Sequence, residues 1–235
     1  MKKTSSLAPY FMAVLTILAS TTASADLITE QLYNTGLDNA GNLVNNASHD
    51  VHWNVAQVTN GLIGLDADAI TYKHPAYAAN DNDSQWISSN ASGGSETTSS
   101  TDYFFSTTFD LTGYDANTAM ITGSWGVDNY ASIFLNGNDT GVALDFGSAA
   151  FNSLNSFSLS DFFIDGINTL TVNVTNGYTT NLSADPGPMA MRFDNLQLTA
   201  SNTFASSASV PEPSTFAIFA LGMIGLASRR FKKQS

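Results

Sequence analysis

The 235-residue chain contains no cysteine, which excludes a disulfide framework and thiol catalysis. Cations are scarce along its central part. Of the eight Lys and Arg, Lys2, Lys3, Arg229, Arg230, Lys232 and Lys233 sit at the two ends, so Lys73 and Arg192 face all but one of the twenty acidic residues. A surface this acidic repels nucleic acid, anionic lipid and anionic polysaccharide unless divalent cations intervene, and it equally serves solubility in a salty medium. Long helical periodicity is missing from the central part, as is any repeat of fixed period. No G-x-S-x-G elbow, HExxH helix, Walker loop or dinucleotide fingerprint occurs. Glycoside hydrolysis needs two carboxylates across a cleft. The acidic residues here are nearly all Asp in Gly- and Asn-rich contexts, where the side chain bonds nearby backbone. The chain therefore offers no catalytic residue, and a non-enzyme is expected.

The two ends carry addresses. Lys2-Lys3, the apolar stretch from Phe11 to Ala19 and Ala23-Ser24-Ala25 form a secretory signal peptide over 1–25, cut before Asp26 by signal peptidase. At the other end, Val210-Pro211-Glu212-Pro213-Ser214 precedes an uncharged apolar run, and Arg229, Arg230, Lys232 and Lys233 follow it. The two prolines disfavour helix before Ser214, which is itself a good N-cap. The run is shorter than the ~20 residues of a full membrane span, and its terminal cations hold that end in the cytoplasm and extend the span by snorkelling. A membrane-inserted hydrophobic helix is expected, as no polar face supports a surface helix. Hinge, apolar segment and basic cluster together resemble the PEP-CTERM sorting signal of Gram-negative bacteria. That resemblance implies an exosortase-type protease as partner, an inner-membrane tethered precursor, and a final place at the cell surface or in an extracellular matrix.

Between these ends, a β domain is expected over 26–198 and a flexible linker over 199–209. In Asp102 to Leu111, Tyr103, Phe105, Thr107, Phe109 and Leu111 share one face and Phe104, Ser106 and Thr108 the other. Ala119, Ile121, Gly123 and Trp125 alternate in the same way, as do Ala131, Ile133 and Leu135, before the hairpin signal Asn136-Gly137 and a strand from Val142 to Leu144. Asp165-Gly166 turns into a strand over Asn168 to Val174. A last strand from Met189 to Leu198 changes parity, which predicts a bulge near Asp194-Asn195. Short strands between turn signals make this an all-β, two-sheet sandwich or jelly roll. The series Tyr103-x-Phe105, Gly123-x-Trp125-x-x-Asp128-Asn129, Leu135-Asn136-Gly137 and Gly166-x-Asn168-Thr169-Leu170 resembles the galactose-binding-like jelly roll. Asn34-Thr35-Gly36, Asp50-x-His52-Trp53 and Gln85-Trp86-Ile87 resemble the same domain as it occurs in exported PEP-CTERM proteins. The family supplies sugar-binding modules and glycosidase accessory domains, and the fold serves structural roles as well.

Sugar sites combine aromatic platforms with planar polar groups. Trp86, Trp125, Tyr130 and Arg192 are the candidates here, with core packing as the alternative for both tryptophans and a salt bridge as the alternative for Arg192. His49 and His52 point to opposite faces of a strand and make a poor zinc pair. Asp66-x-Asp68 and Asp81-Asn82-Asp83 offer hard oxygen ligands in loop-like segments. The resemblance adds a structural calcium to that expectation. The function expected is a non-catalytic exported module that binds carbohydrate weakly, with polysaccharide as partner. A purely structural matrix protein, or a glycan-active enzyme, is the alternative.

Overall fold

The computed structural model describes residues 25–28, 31–59, 62–93, 101–145, 148–176 and 187–202. The signal peptide up to residue 24 and the sorting tail 210–235 lie outside the described residues. Eleven strands and one helical turn form in these segments: β1 Ala25–Leu27, β2 His49–Thr59, β3 Leu62–Thr71, β4 Ile87–Ser88, β5 Thr101–Asp110, β6 Tyr114–Asp128, β7 Tyr130–Leu135, β8 Asn138–Leu144, α1 Ser148–Phe151, β9 Asn155–Leu159, β10 Ile167–Asn176 and β11 Ala190–Asn202. Among the described residues, all is β apart from that turn. Neighbouring strands run in the order β8-β7-β10-β5-β2-β3-β4-β11-β6-β9, with β1 beside β11, and every pairing is antiparallel. The short β4 links β3 to β11. The path therefore folds over on itself, and its two halves bury their inner faces against each other.

The inward residues are those that period-two alternation selects. Tyr103, Phe105, Phe109 and Leu111 from β5 and the turn after it, Ile121 and Trp125 from β6, Ile133 and Leu135 from β7, and Leu170, Val172 and Val174 from β10 are all buried. Phe193 lies at the centre, stacked at 5.2 Å on Trp53 from β2 and at 6.0 Å on Trp125 from β6. Each such ring buries about 150–250 Å², so this stack ties the two halves together. Asn136 and Gly137 take φ of 52° and 78°, the left-handed pair that a two-residue hairpin turn needs. Asn136 then accepts from Thr169 N at 2.9 Å and donates to Asn168 Oδ1 at 2.8 Å, which fixes the β7–β8 turn to the start of β10.

β8 and β11 are longer than expected, and β1 forms where no strand was expected. β8 starts at Asn138, directly after the turn, instead of at Val142. β11 runs through Asn202, into the stretch read as linker, because Thr199 to Ser201 pair with β1 and β6. β1 begins at Ala25, one residue before the expected cleavage point. The bulge lies where parity predicts it: register shifts between Asp194 and Gln197, and Asn195 has φ of 53°. Asp66 and Asp68 are on β3 and exposed, with Ala67 and Ala69 on the opposite face. The loop expected at these two residues gives way to a strand, because alternation of Asp with Ala is itself a strand signal.

Candidate functional site

From Ala190 to Asp194, β11 is buried on both faces. Met191 and Phe193 enter the core, while Ala190, Arg192 and Asp194 lie under the loop 72–86 that joins β3 to β4. That arrangement explains Arg192, whose side chain is 1% exposed. Its Nε donates to Ser84 Oγ at 2.8 Å, its Nη1 to Ala79 O at 2.6 Å, and its Nη2 pairs with Asp81. Ser84 donates onward to Asp194 Oδ1 at 3.0 Å. One cation thus pegs the loop at three points and neutralises the carboxylates beneath it. The salt-bridge alternative for Arg192 is the one the structure presents, and the side chain faces no open cleft.

Next to it, the opening motifs converge into a polar knot. Thr35 Oγ1 donates to Gln85 O at 2.6 Å and accepts from Phe193 N at 3.1 Å. Gln85 Nε2 donates to Gly36 O at 3.0 Å and to Val44 O at 2.7 Å. Asp50 accepts from Gly36 N at 2.7 Å and from His52 N at 2.9 Å. Burial pushes the Asp50 carboxyl up to about 6, against the pull of those N–H donors and of the His52 charge. A Cβ on Gly36, which has φ of +85°, would lie 2.6 Å from Gln85 Cβ. Asn34-Thr35-Gly36, Asp50-x-His52 and Gln85-Trp86 are therefore one interlocked unit, made to hold the fold.

The carboxylates were tested as a cation site. One oxygen from each of Asp81, Asp83 and Asp194 lies within 4.8 Å of the others. Desolvation opposes ionisation of Asp81 but is outweighed by hydrogen bonds from Asp83, by the charge of Arg192 and by Ser84 N–H, so its pKa falls. Asp83 moves up, through its hydrogen bond with Asp81, desolvation, and repulsion from Asp81 and Asp194. The Arg192 guanidinium offsets one of these charges, and Asp194 is engaged by Ser84 and Asn195. The cluster joins the expected Asp81 and Asp83 to Asp194. Asp66 and Asp68, on the face of β3, lie apart from it in sequence and pair across to β2.

The loop also carries an aromatic cluster. Tyr77 lies 4.6 Å from Trp86, 5.0 Å from His74 and 6.1 Å from Tyr72, measured between ring centres. Its hydroxyl donates to Asp128 Oδ2 at 2.9 Å. Burial, followed by the Asp128 charge, raises the pKa of both Tyr77 and Tyr72, so both stay neutral donors. Trp86 is held by its Nε1 donating to Ala78 O at 2.8 Å, and Gly126 makes room for the ring: a Cβ there would lie 2.7 Å from Trp86 Cη2. Two separate hollows open, one of about 260 Å³ and one of about 150 Å³. The larger is lined by Ile28, Leu32, Asn34, Asp83, Asn195, Leu196 and Gln197. The smaller lies on the aromatic cluster, with Lys73, His74, Tyr77, Asn80 and Trp86 on its walls.

Of the expected sugar-site residues, Trp86 lines the smaller opening, with a ring that is 1% exposed. Trp125 is interior, stacked on Phe193. Tyr130 is half-buried on the outer face of β7, opposite Thr175. The sequence reading passed over Tyr72, Lys73 and Tyr77. Their signal was the dense run Tyr72-Lys73-His74-Pro75-Ala76-Tyr77, which places a cation and three rings in one loop.

Residues 209–233 match the family model described as the PEP-CTERM protein-sorting motif. The motif marks an exported, cell-surface protein. No curated protein matches the chain. Among solved structures, the chain is similar to TmCBM61 in complex with β-1,4-galactotriose, at 13% identity and a TM-score of 0.34, over 62% of this chain and 86% of that one. It is also similar to CBM35 from Paenibacillus barcinonensis, at 16% identity and a TM-score of 0.31, over 57% of this chain and 91% of that one. A third is the CBM36-1 domain of a multidomain xylanase from the hindgut metagenome of Trinervitermes trinervoides, at 12% identity and a TM-score of 0.27, over 64% of this chain and 97% of that one. Likeness at this level assigns no ligand to the chain.

Proposed function

We propose that the chain is a non-catalytic module, displayed at the cell surface or in an extracellular matrix, that binds neutral carbohydrate weakly at the hollow on loop 72–86. The observation that carries this reading is the aromatic cluster of His74, Tyr77 and Trp86 around an opening of about 150 Å³, backed by Tyr72, with the amide of Asn80 and the cation of Lys73 on its rim. Apolar ring faces suit the C–H faces of a sugar, and planar amides suit its hydroxyls. The volume lies below the ~300–1,000 Å³ of sites that enclose drug-sized ligands, so it suits one sugar ring or a chain end. An acidic surface around it disfavours anionic polysaccharide. Before display, the tail holds the precursor in the membrane, and an exosortase-type protease cuts at Pro211 to Ser214.

Two measurements test this reading. Glycan-array binding of the full chain to neutral saccharides should saturate, and should weaken on His74→Ala. Absence of saturable binding would make the chain a purely structural matrix protein. Intact mass of the native protein should show loss of the residues after the Pro-Glu-Pro hinge. A complete tail retained in the inner membrane would contradict processing.

A further inference from the structure

The loop that joins β9 to β10 turns apolar side chains outward. It includes the run Asp161-Phe162-Phe163-Ile164-Asp165-Gly166 and leads into Ile167, the first residue of β10. Phe163 points in, packed edge-on against Phe109 at 6.2 Å between ring centres. Phe162, Ile164 and Ile167 are 46%, 50% and 61% exposed, three of the six large apolar residues exposed among the described residues. Single exposed apolar residues are ordinary, whereas three on one short loop form a patch. The loop is also held in place. Asn168, fully buried, accepts from Ile164 N at 2.9 Å and donates to Ile164 O and Gly166 O, each at 2.8 Å. Asn136 donates to Phe162 O at 2.8 Å. Phe162 takes a φ of 67°, a left-handed backbone unfavourable for an aromatic residue. Two amides thus hold an apolar display that local backbone preference opposes.

Position and charge narrow what covers the patch. Leu111 N donates to Gly166 O at 2.8 Å, and Tyr114 N to Leu111 O at 2.9 Å. Tyr114, the first residue of β6, pairs with Asn202, the last of β11. The patch therefore lies less than about 20 Å from the point where the chain leaves the sheet, at ~5 Å for each ladder pair and under ~7 Å across the turn. Pro211, which opens the Pro-Glu-Pro hinge, follows nine residues after Asn202, a reach of at most about 30 Å. Whatever cuts the hinge works within reach of this end of the domain. Asp161 and Asp165 flank the patch and are exposed, Asp110 pairs with Ile167, and Asp115 pairs with Ser201 beside the exit. Lys73 and Arg192, the Lys and Arg among the described residues, are elsewhere, on loop 72–86 and under it. Four carboxylates repel an anionic bilayer. A second copy fares no better, because a two-fold contact sets Asp161 and Asp165 against the same residues of the other copy. Apolar centre and acidic rim together select a protein surface that is apolar in the middle and carries Lys or Arg around it.

We infer that Phe162, Ile164 and Ile167, with Asp161 and Asp165 as their rim, are a docking surface for the membrane protease that cuts the tail, met by an apolar, cation-rimmed surface on that enzyme's exported side. The inference rests on the processing reading of the tail. The hinge supplies the bonds to be cut, and the patch supplies a second, weak contact. Both belong to one chain, so once the hinge is engaged the second contact forms at a millimolar effective concentration, at which weak affinity counts. The folded domain thereby speeds the removal of its own tail.

The test is the rate of tail loss in the protein's own cells, read as intact mass over time after expression of the full chain is switched on. The parent and V51S, which removes an exposed apolar side chain on β2, should lose the tail at the same rate. F162S/I164S/I167S should lose it on the order of tenfold more slowly, and so should D161K/D165K. All five of these side chains are exposed, so folding is kept; if the triple variant unfolds early, D161K/D165K decides alone. A photo-crosslinking residue placed at position 162 should join the chain to the protease. The inference is overturned if both variants are cut at the parent's rate, or if position 162 crosslinks to lipid or to a second copy of the chain. A parent that keeps its tail overturns the processing reading itself, and the inference with it.

Discussion

Beneath loop 72–86, Arg192 commits each of its three nitrogens to the protein, and Asp50, Thr35 and Gln85 bond backbone from distant segments. On the outer face of β5, β10 and β7, Asn173 Oδ1 meets no partner and Phe104 and Phe134 pack into no core. Both regions are built from aromatic and polar side chains. The difference is saturation: the knot closes its hydrogen bonds inside the molecule and so fixes a loop, whereas the face leaves Asn173 Oδ1 unpaired beneath half-buried rings. A buried polar group is costly to leave unmet, so full satisfaction is the mark of a structural role.

That contrast can be broken most forcefully at Arg192. Arg192→Met should cost about 3 kcal/mol, the lower end for breaking a buried pair, since Asp81 is partly exposed. Chemical denaturation measures it, and a loss under about 1 kcal/mol would deny Arg192 its role as the peg. A comparable effect belongs to Asp50 and depends on pH. Its folded carboxyl titrates at about 6, against about 4 in the unfolded chain. The stability held by the protonated form is therefore complete below pH about 4 and is lost as pH rises through about 6, about 3 kcal/mol in all. Denaturation curves between these pH values should show a slope that Asp50→Asn removes, and equal slopes would refute the shift. Gly126→Ala should cost about 1–3 kcal/mol by overpacking, since the added methyl meets the tip of Trp86 at 2.7 Å and Ala150 O at 3.0 Å. The smallest effect on stability is expected on the outer face, where F104A/F134A should change the unfolding free energy by less than about 1 kcal/mol. A larger loss would mean that those rings support the fold.

Sequence periodicity carried the fold far. Tyr103 to Leu111, Ala131 to Leu135 and Leu170 to Val174 bury the residues that alternation assigns inward, and the parity change at Asp194 locates a real bulge. The site was less legible. Arg192 draws notice as a rare cation, but only tertiary packing reveals that β11 is covered on both faces, which turns an apparent ligand group into a peg. Asp66 and Asp68 look like loop ligands by type, yet their alternation with Ala67 and Ala69 makes them strand residues. Trp125 and Trp86 are both buried, the core-packing alternative that the sequence left open for each. Phe104 was visible as the one large apolar side chain on the solvent side of its strand. Which residues flank it, Asn173 and Ala56, follows from pairing between strands distant in sequence, which the pattern of one strand does not encode.

The central claim is that polar saturation separates scaffold from binding surface, and amide NMR of the full chain titrated with a neutral six-sugar fragment tests it most directly. Chemical-shift changes should concentrate at Lys73 to Asn80, and leave Thr35, Asp50, Gln85 and Arg192 unmoved. Changes centred on those four residues, or no changes anywhere at saturating sugar, would contradict it.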